Sequence, residues 1–389
     1  MSIAQKIASG FNTDGVLVGA NEQIYTRKRN LLSNGDMAIA QRNQGTVASV
    51  NASGFYTLDR WNYGEAGQGT VSLSQESNAA LQAVSEFHEA FLVNVTTADT
   101  SLEAGHNCII RQTLLANDVG HRVGQGTSRA NPLTLSFWIK CVKTGLNIVE
   151  LRNIDSARSC SLSYTVSASD TWEFKTVTFP ADTGGSVPPD DFGEHFQLNF
   201  WFSAGTTYTS GTLQTAWGSL VSANRAVGQV NHHDSTSNTV ALSGVQLEIG
   251  STATPFEKLS FNDNLEECRQ YYQKSYKYGI APGCDCTGGD NDSEGAVYGR
   301  ISTSSTNRGD LGVRFVPVMV ADPTVKIYSL DGTSAGTIGS ISDCTTSYNH
   351  SANYDVDSCK SHDSGFDGIN LGTATDAIIA YHYTADTGF

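Results

Sequence analysis

The chain is poor in charge, in methionine and proline, and in long apolar stretches. Only 16% of its 389 residues are charged, with three Met and eight Pro. No run approaches the roughly 18 apolar residues a membrane-spanning helix needs, so membrane insertion is not expected. The opening MSIAQKIASGFNTDG lacks the apolar core of a secretory signal and reads as unprocessed. Basic residues are scarce too: 24 Lys and Arg stand against 39 Asp and Glu, a formal charge of −15. Nucleic-acid binding relies on clustered Lys and Arg, and the densest basic stretch here, Arg27 to Arg29, is too short to serve. Nucleic acid and anionic membranes are therefore poor partners. No CxxC pair occurs among the eight cysteines, and most of them read as free thiols. Cys284, Cys286, Cys344 and Cys359 fall in polar surroundings, where disulfides or zinc stay open, although one CxC is weak metal spacing.

What the chain has in quantity is Gly, Ser and Thr, with apolar residues in short runs broken by Gly, Asn and Asp, the pattern of an all-β protein. At this length one core is not expected to serve the whole chain, because single cores stop growing beyond about 250 to 300 residues. Residues 1–29 hold too few large apolar side chains for a core and read as an arm that pairs with something else. From 30 to 260 the pattern is strand, turn, strand, with two-residue alternation clearest in LTLSFWIKCV, WEFKTVTF, FQLNFWFS and VALSGVQLEI, which predicts one β-sandwich. FNDNLEECRQYYQKSY changes period and predicts a connecting helix over 261–278. Asn262 or Asp263 would cap it, and Leu265, Cys268, Tyr271 and Tyr272 would form a narrow apolar stripe. That stripe would meet either its own sandwich or a three-fold copy. Residues 279–389 return to short strands around polar loops and predict a second, smaller β domain.

The blocks NLLSNGDMAIAQRNQGT, YTLDRW, LSFWIKC, WEFKTVTFP, GQVN and VQLEIGSTATPFEKLSFNDNLEECRQYYQKS agree in order and spacing with a family of phage tail-fibre and virion-associated proteins, which the chain resembles over residues 30–275. That resemblance implies a jelly-roll sandwich like those of carbohydrate-binding modules, followed by a short helix. It further implies a homotrimer in the virion, anchored to other virion proteins through residues 1–29 and exposing 279–389 as a tip. Related sugar-binding jelly rolls often place an Asp-rich pair in the last strand to hold calcium. Here that place reads Ser243 and Gly244, so with Asp36 and Glu248 alone a calcium site is not expected.

Alternation supplies a candidate binding face. In LTLSFWIKC the residues Leu133, Leu135, Phe137, Ile139 and Cys141 share one side, putting Trp138 and Lys140 on the other. In QLNFWFS the same rule places Leu198, Phe200 and Phe202 inward and Asn199 and Trp201 outward. Indole rings among polar groups suit pyranose recognition, since ring faces stack on C–H bonds while polar groups bond hydroxyls. Trp138, Trp201, Lys140 and Asn199 are thus the glycan-contact candidates, unless loops or a neighbouring subunit cover them. Trp61 reads as a packing landmark.

For catalysis no nucleophile with its base, no paired acids from separate strands and no convincing metal set emerge, so no catalytic residue, metal or cofactor is assigned. Asp190 and Asp191 follow two prolines in a turn. His232, His233 and Asp234 would bind metal only at a symmetry axis. Asp290 to Gly295 begins like an EF-hand loop, but position twelve would be Ile301. The sequence therefore points to a non-enzymatic virion appendage that adsorbs to a host-surface glycan. A tailspike-type polysaccharide depolymerase and a purely structural head fibre or decoration protein are the alternatives.

Overall fold

The computed structural model describes residues 28–67, 69–189, 191–284, 295–301, 312–330, 337–341, 350–355, 358–370 and 377–389. Residues 1–27 of the expected arm, Asp190, Cys286, Asp290 to Glu294, Cys344 and the side chain of Cys359 lie outside what is described.

The protein is all-β, and its larger part is a jelly-roll sandwich of two six-stranded antiparallel sheets. One sheet contains β1 (Val47–Val50), β3 (Val71–Ser77), β4 (Glu89–Val95), β6 (Leu133–Cys141), β9 (Glu173–Phe179) and β12 (Thr239–Ile249), ordered β1-β3-β4-β12-β6-β9. The other contains β2 (Asn62–Ala66), β5 (Asn107–Leu115), β7 (Gly145–Asn153), β8 (Arg158–Val166), β10 (Glu194–Ala204) and β11 (Gly218–Ser219), ordered β11-β8-β7-β10-β5-β2. Their facing sides interlock as the alternation demands. Phe137 of β6 meets Phe200 of β10 edge to face at 5.0 Å, and Trp61 sits 6.4 Å from Phe200, fully buried with its indole N–H donating to the Asn34 carbonyl at 2.9 Å. Each such ring contributes about 1.5–3 kcal/mol by leaving water. Short helices decorate the sandwich, among them α1 (Ala79–Val84) on the outside of the first sheet and α2 (Ala116–Val123) directly after β5.

Helix α3 (Phe261–Arg269) is shorter than its sequence period suggests. Ser260, not Asn262 or Asp263, caps it: its Oγ accepts from the Asp263 amide at 3.2 Å and donates to the Asp263 carboxylate at 2.7 Å. The chain then turns into β13 (Tyr272–Lys274), which pairs with β21 (Ala377–Asp386). Helix-compatible residues are drawn into a strand here because a ready edge of β21 and burial of Tyr271 and Tyr272 outweigh a propensity worth only tenths of a kcal/mol per residue. The stripe docks on its own sandwich: Cys268 is fully buried, Arg60 lies over the Tyr271 ring at 3.4 Å, and the Tyr271 hydroxyl donates to Asp118.

The smaller unit is built around β21, flanked by β13, β14 (Val297–Ile301), β16 (Thr324–Tyr328) and β17 (Thr337–Ile341), with β18 (His350–Asp355) beyond. A three-stranded sheet of β15 (Val313–Arg314), β20 (Gly365–Asn370) and β19 (Ser358–His362) packs near it, and Phe315, Phe366, Tyr381 and Tyr383 share the core. Arg42 ties the two units together, pairing with Asp59 at 3.0 Å and Asp386 at 2.9 Å. Among the described residues no helix is long and apolar enough to cross a membrane.

Candidate functional site

Trp138 and Trp201 both point away from the core, as alternation predicts, but from different sheets. They therefore occupy opposite outer faces of the sandwich, and the two faces have different fates.

Around Trp138 the face is open. Its cross-strand neighbour on β9 is Phe174, with ring centroids 5.5 Å apart, and Phe174 is 50% exposed. Opposite them stand Phe87 and Phe256, edge to face at 4.8 Å. Together with Ser85, Glu86, Ser136, Gly244, Thr254 and Pro255 these rings line a groove of about 330 Å³. Local sequence explains its shape. Asn78 caps α1 by accepting from the Leu81 amide, and Leu81 buries fully against Ala241 and Trp172, so the helix lies flat on the sheet. Ser85 ends the helix with its amide and hydroxyl on the Leu81 carbonyl, and its Oγ accepts from the Phe87 amide, aiming that ring into the groove. β12 bulges between Ser243 and Gln246, where Gly244 has φ +58°. A Cβ there would lie 2.4 Å from the Phe87 ring, so glycine is required both for the bend and for the ring beside it. The glycine at this bulge thus shapes the aromatic groove.

Charges flanking the groove are paired. Glu86 meets Lys258 at 3.0 Å, and Glu173 meets Lys175 at 2.6 Å. Lys140 turns to Asp170 at 3.0 Å and does not line the groove.

Around Trp201 the face is closed. Trp201 is 1% exposed and Asn199 fully buried, because the connection from β10 to β12 folds back over them. At its centre lies Glu150, fully buried, which receives both forks of Arg225 (2.8 and 2.7 Å), the Asn199 amide (3.1 Å) and the Trp201 indole N–H (3.3 Å). The guanidinium also sits 4.9 Å from the Trp201 ring centre, and Tyr208 packs at 5.2 Å. The expected glycan-contact role of Trp201 and Asn199 is therefore corrected: they hold a covering loop to the sheet and present nothing to a ligand. Alternation fixes which side a residue faces, whereas Arg225, the one sequence signal of the cover, is remote in the chain.

The histidine pair expected as a polar loop or a symmetry-axis metal set is buried as well. His232 donates to Asn147 Oδ1 at 2.7 Å and His233 lies 3.4 Å from Ser203 Oγ. Burial pushes them down to about 3 and about 4, so both are neutral, while Asp234 pairs with Lys143. Glu248 accepts from the Thr254 amide and hydroxyl and from Gln246, and Asp36 accepts from Asn264. Among the described residues no group of three or more His, Cys, Asp or Glu is placed to hold a metal. Cys108, Cys141, Cys160 and Cys268 are buried free thiols, and burial pushes Cys108 and Cys160 up to about 12.

No protein-family model matches the chain, and no curated protein matches it in sequence. Solved structures match part of the chain at low identity and low TM-score. The enzymatically active domain of tailspike protein 4 of bacteriophage CBA120 is 15% identical over 57% of this chain, with a TM-score of 0.29, and the match spans 21% of that chain. A family 61 carbohydrate-binding module in complex with β-1,4-galactotriose is 8% identical, covering 57% of this chain and 99% of its own, with a TM-score of 0.29. The family 11 carbohydrate-binding module of a Clostridium thermocellum cellulosomal cellulase is 14% identical, covering 53% and 99%, with a TM-score of 0.25.

Proposed function

We propose that the chain is a non-enzymatic phage appendage protein that binds a host-surface glycan in the groove between Trp138, Phe174, Phe87 and Phe256. The observation that carries this reading is an open groove of about 330 Å³, lined by four aromatic rings, whose neighbouring charges are paired with one another. Ring faces of this kind stack on the C–H faces of a pyranose, and Thr254, Ser85 and Glu86 at the rim offer hydrogen bonds to hydroxyls. The virion setting is proposed from the resemblance of separate sequence blocks to phage tail-fibre proteins, a resemblance to which no family model or curated relative adds. In that setting residues 1–29 attach to other virion proteins, three copies assemble, and 279–389 lie distally.

The test is incubation of the purified protein with a panel of bacterial surface polysaccharides, scoring both retention and release of reducing ends. Retention without release, lost in Trp138→Ala, is expected. Release of reducing ends would make the protein a depolymerase, and no retention by any polysaccharide would leave a purely structural particle component.

A further inference from the structure

A second pocket, remote from the Trp138 groove in sequence and lining, lies where the two β units meet. It encloses about 470 Å³, within the range that holds small ligands. One wall is a single face of three paired strands. Tyr272 of β13 and Thr324 of β16 both stand opposite Asp386 of β21, and Lys326 stands opposite Thr384, so Thr324, Lys326, Tyr328, Thr384 and Asp386 share that face by two-residue alternation. The sandwich supplies the other wall through Phe55 and Arg42, whose guanidinium is held between the rings of Phe55 (4.9 Å) and Tyr272 (4.0 Å).

The charges of this pocket do not cancel locally. Asp386 is occupied by Arg42 at 2.9 Å and by the Gly388 amide at 3.0 Å. Asp59 is occupied by Arg42 and Gln41 and lies within the field of Lys274, which is itself buried on the carbonyls of Gln41, Tyr278 and Ile280. Lys326, exposed on the pocket wall, has no ion-pair or hydrogen-bond partner among the described residues, and neither do the hydroxyls of Thr324 and Tyr328. The result is one unpaired ammonium beside aromatic rings and free hydroxyls. The protein's net charge of −15 does not undo this, since charges farther than about 8–10 Å are screened in physiological salt.

We infer that this junction pocket binds an acidic saccharide residue, with its carboxylate on Lys326, its ring against Tyr328 and a hydroxyl on Thr324. The inference does not rest on the glycan role of the Trp138 groove.

It is tested on the full chain carrying Trp138→Ala and Phe174→Ala, so that the groove is silent, by ligand-observed NMR titration with D-galacturonate and D-galactose. Galacturonate is expected to bind about three- to fivefold more tightly than galactose, the worth of an exposed ion pair. Lys326→Met should remove that preference and Lys326→Arg should keep it; because Lys326 is exposed, thermal melting should be the same for both variants. Equal binding of the two sugars, binding of neither, or a preference that survives Lys326→Met would overturn the assignment.

Discussion

The two outer faces of the sandwich begin alike and end differently. Each carries a tryptophan at an outward position of a central strand, Trp138 on β6 and Trp201 on β10. On β10 the neighbouring strand brings Glu150, a carboxylate with no water to solvate it, and the chain answers with Arg225 and a loop that seals the face. On β6 the neighbours are Phe174, Ser136 and a bulged glycine, which ask for no counter-ion, and the face stays open. A buried charge recruits its own cover, and its absence leaves aromatic surface available to a ligand.

Four experiments would break or sharpen this comparison. The largest effect is expected from Glu150→Ala, which strands Arg225 beside Trp201. Loss of one partner of a buried pair costs about 3–5 kcal/mol, so chemical denaturation should show destabilisation of that size. An unchanged midpoint would mean the closed face is not held by this pair.

Next comes pH, through the histidines at the end of the closed sheet. His232 and His233 have folded values near 3 and 4, below the ordinary unfolded value of about 6.5. The unfolded chain therefore binds protons first, and stability, full above about pH 6.5, is lost as pH falls toward those folded values. Each histidine should account for on the order of 2 kcal/mol by pH 4.5. Melting curves from pH 7 to 4.5 should show the drop, and a His233→Gln variant should roughly halve it.

On the open face, Phe174→Ala should weaken glycan retention about tenfold, roughly 1.5 kcal/mol, while leaving the melting temperature almost unchanged because the ring is half exposed. A large loss of stability with intact retention would mean that Phe174 is packing and not contact. The smallest effect belongs to Lys140→Ala. Its exposed pair with Asp170 is worth about 0–1 kcal/mol, and retention measured on the same polysaccharide should not move.

Much of the architecture was legible in the sequence, since strand alternation in β6, β9, β10 and β12 follows directly from burial of one face. The sense of every candidate side chain, inward or outward, was legible for the same reason. Cover was not, because it depends on Arg225 reaching Glu150 across 75 positions of chain. The groove itself was half legible. Trp138 announced itself, but Phe87 and Phe256 come from segments without period, and their convergence rests on the αL turn at Gly244. The end of α3 was illegible because the partner of Tyr272–Lys274 is the last strand of the chain.

The most direct measurement is hydroxyl-radical footprinting read by mass spectrometry, with and without a retained polysaccharide. Oxidation of Trp138 and Phe174 in the free protein, suppressed on binding, with Trp201 unmodified in both states, is the expected result. Oxidation of Trp201 in the folded protein, or equal oxidation of Trp138 and Phe174 with and without the glycan, would contradict the account.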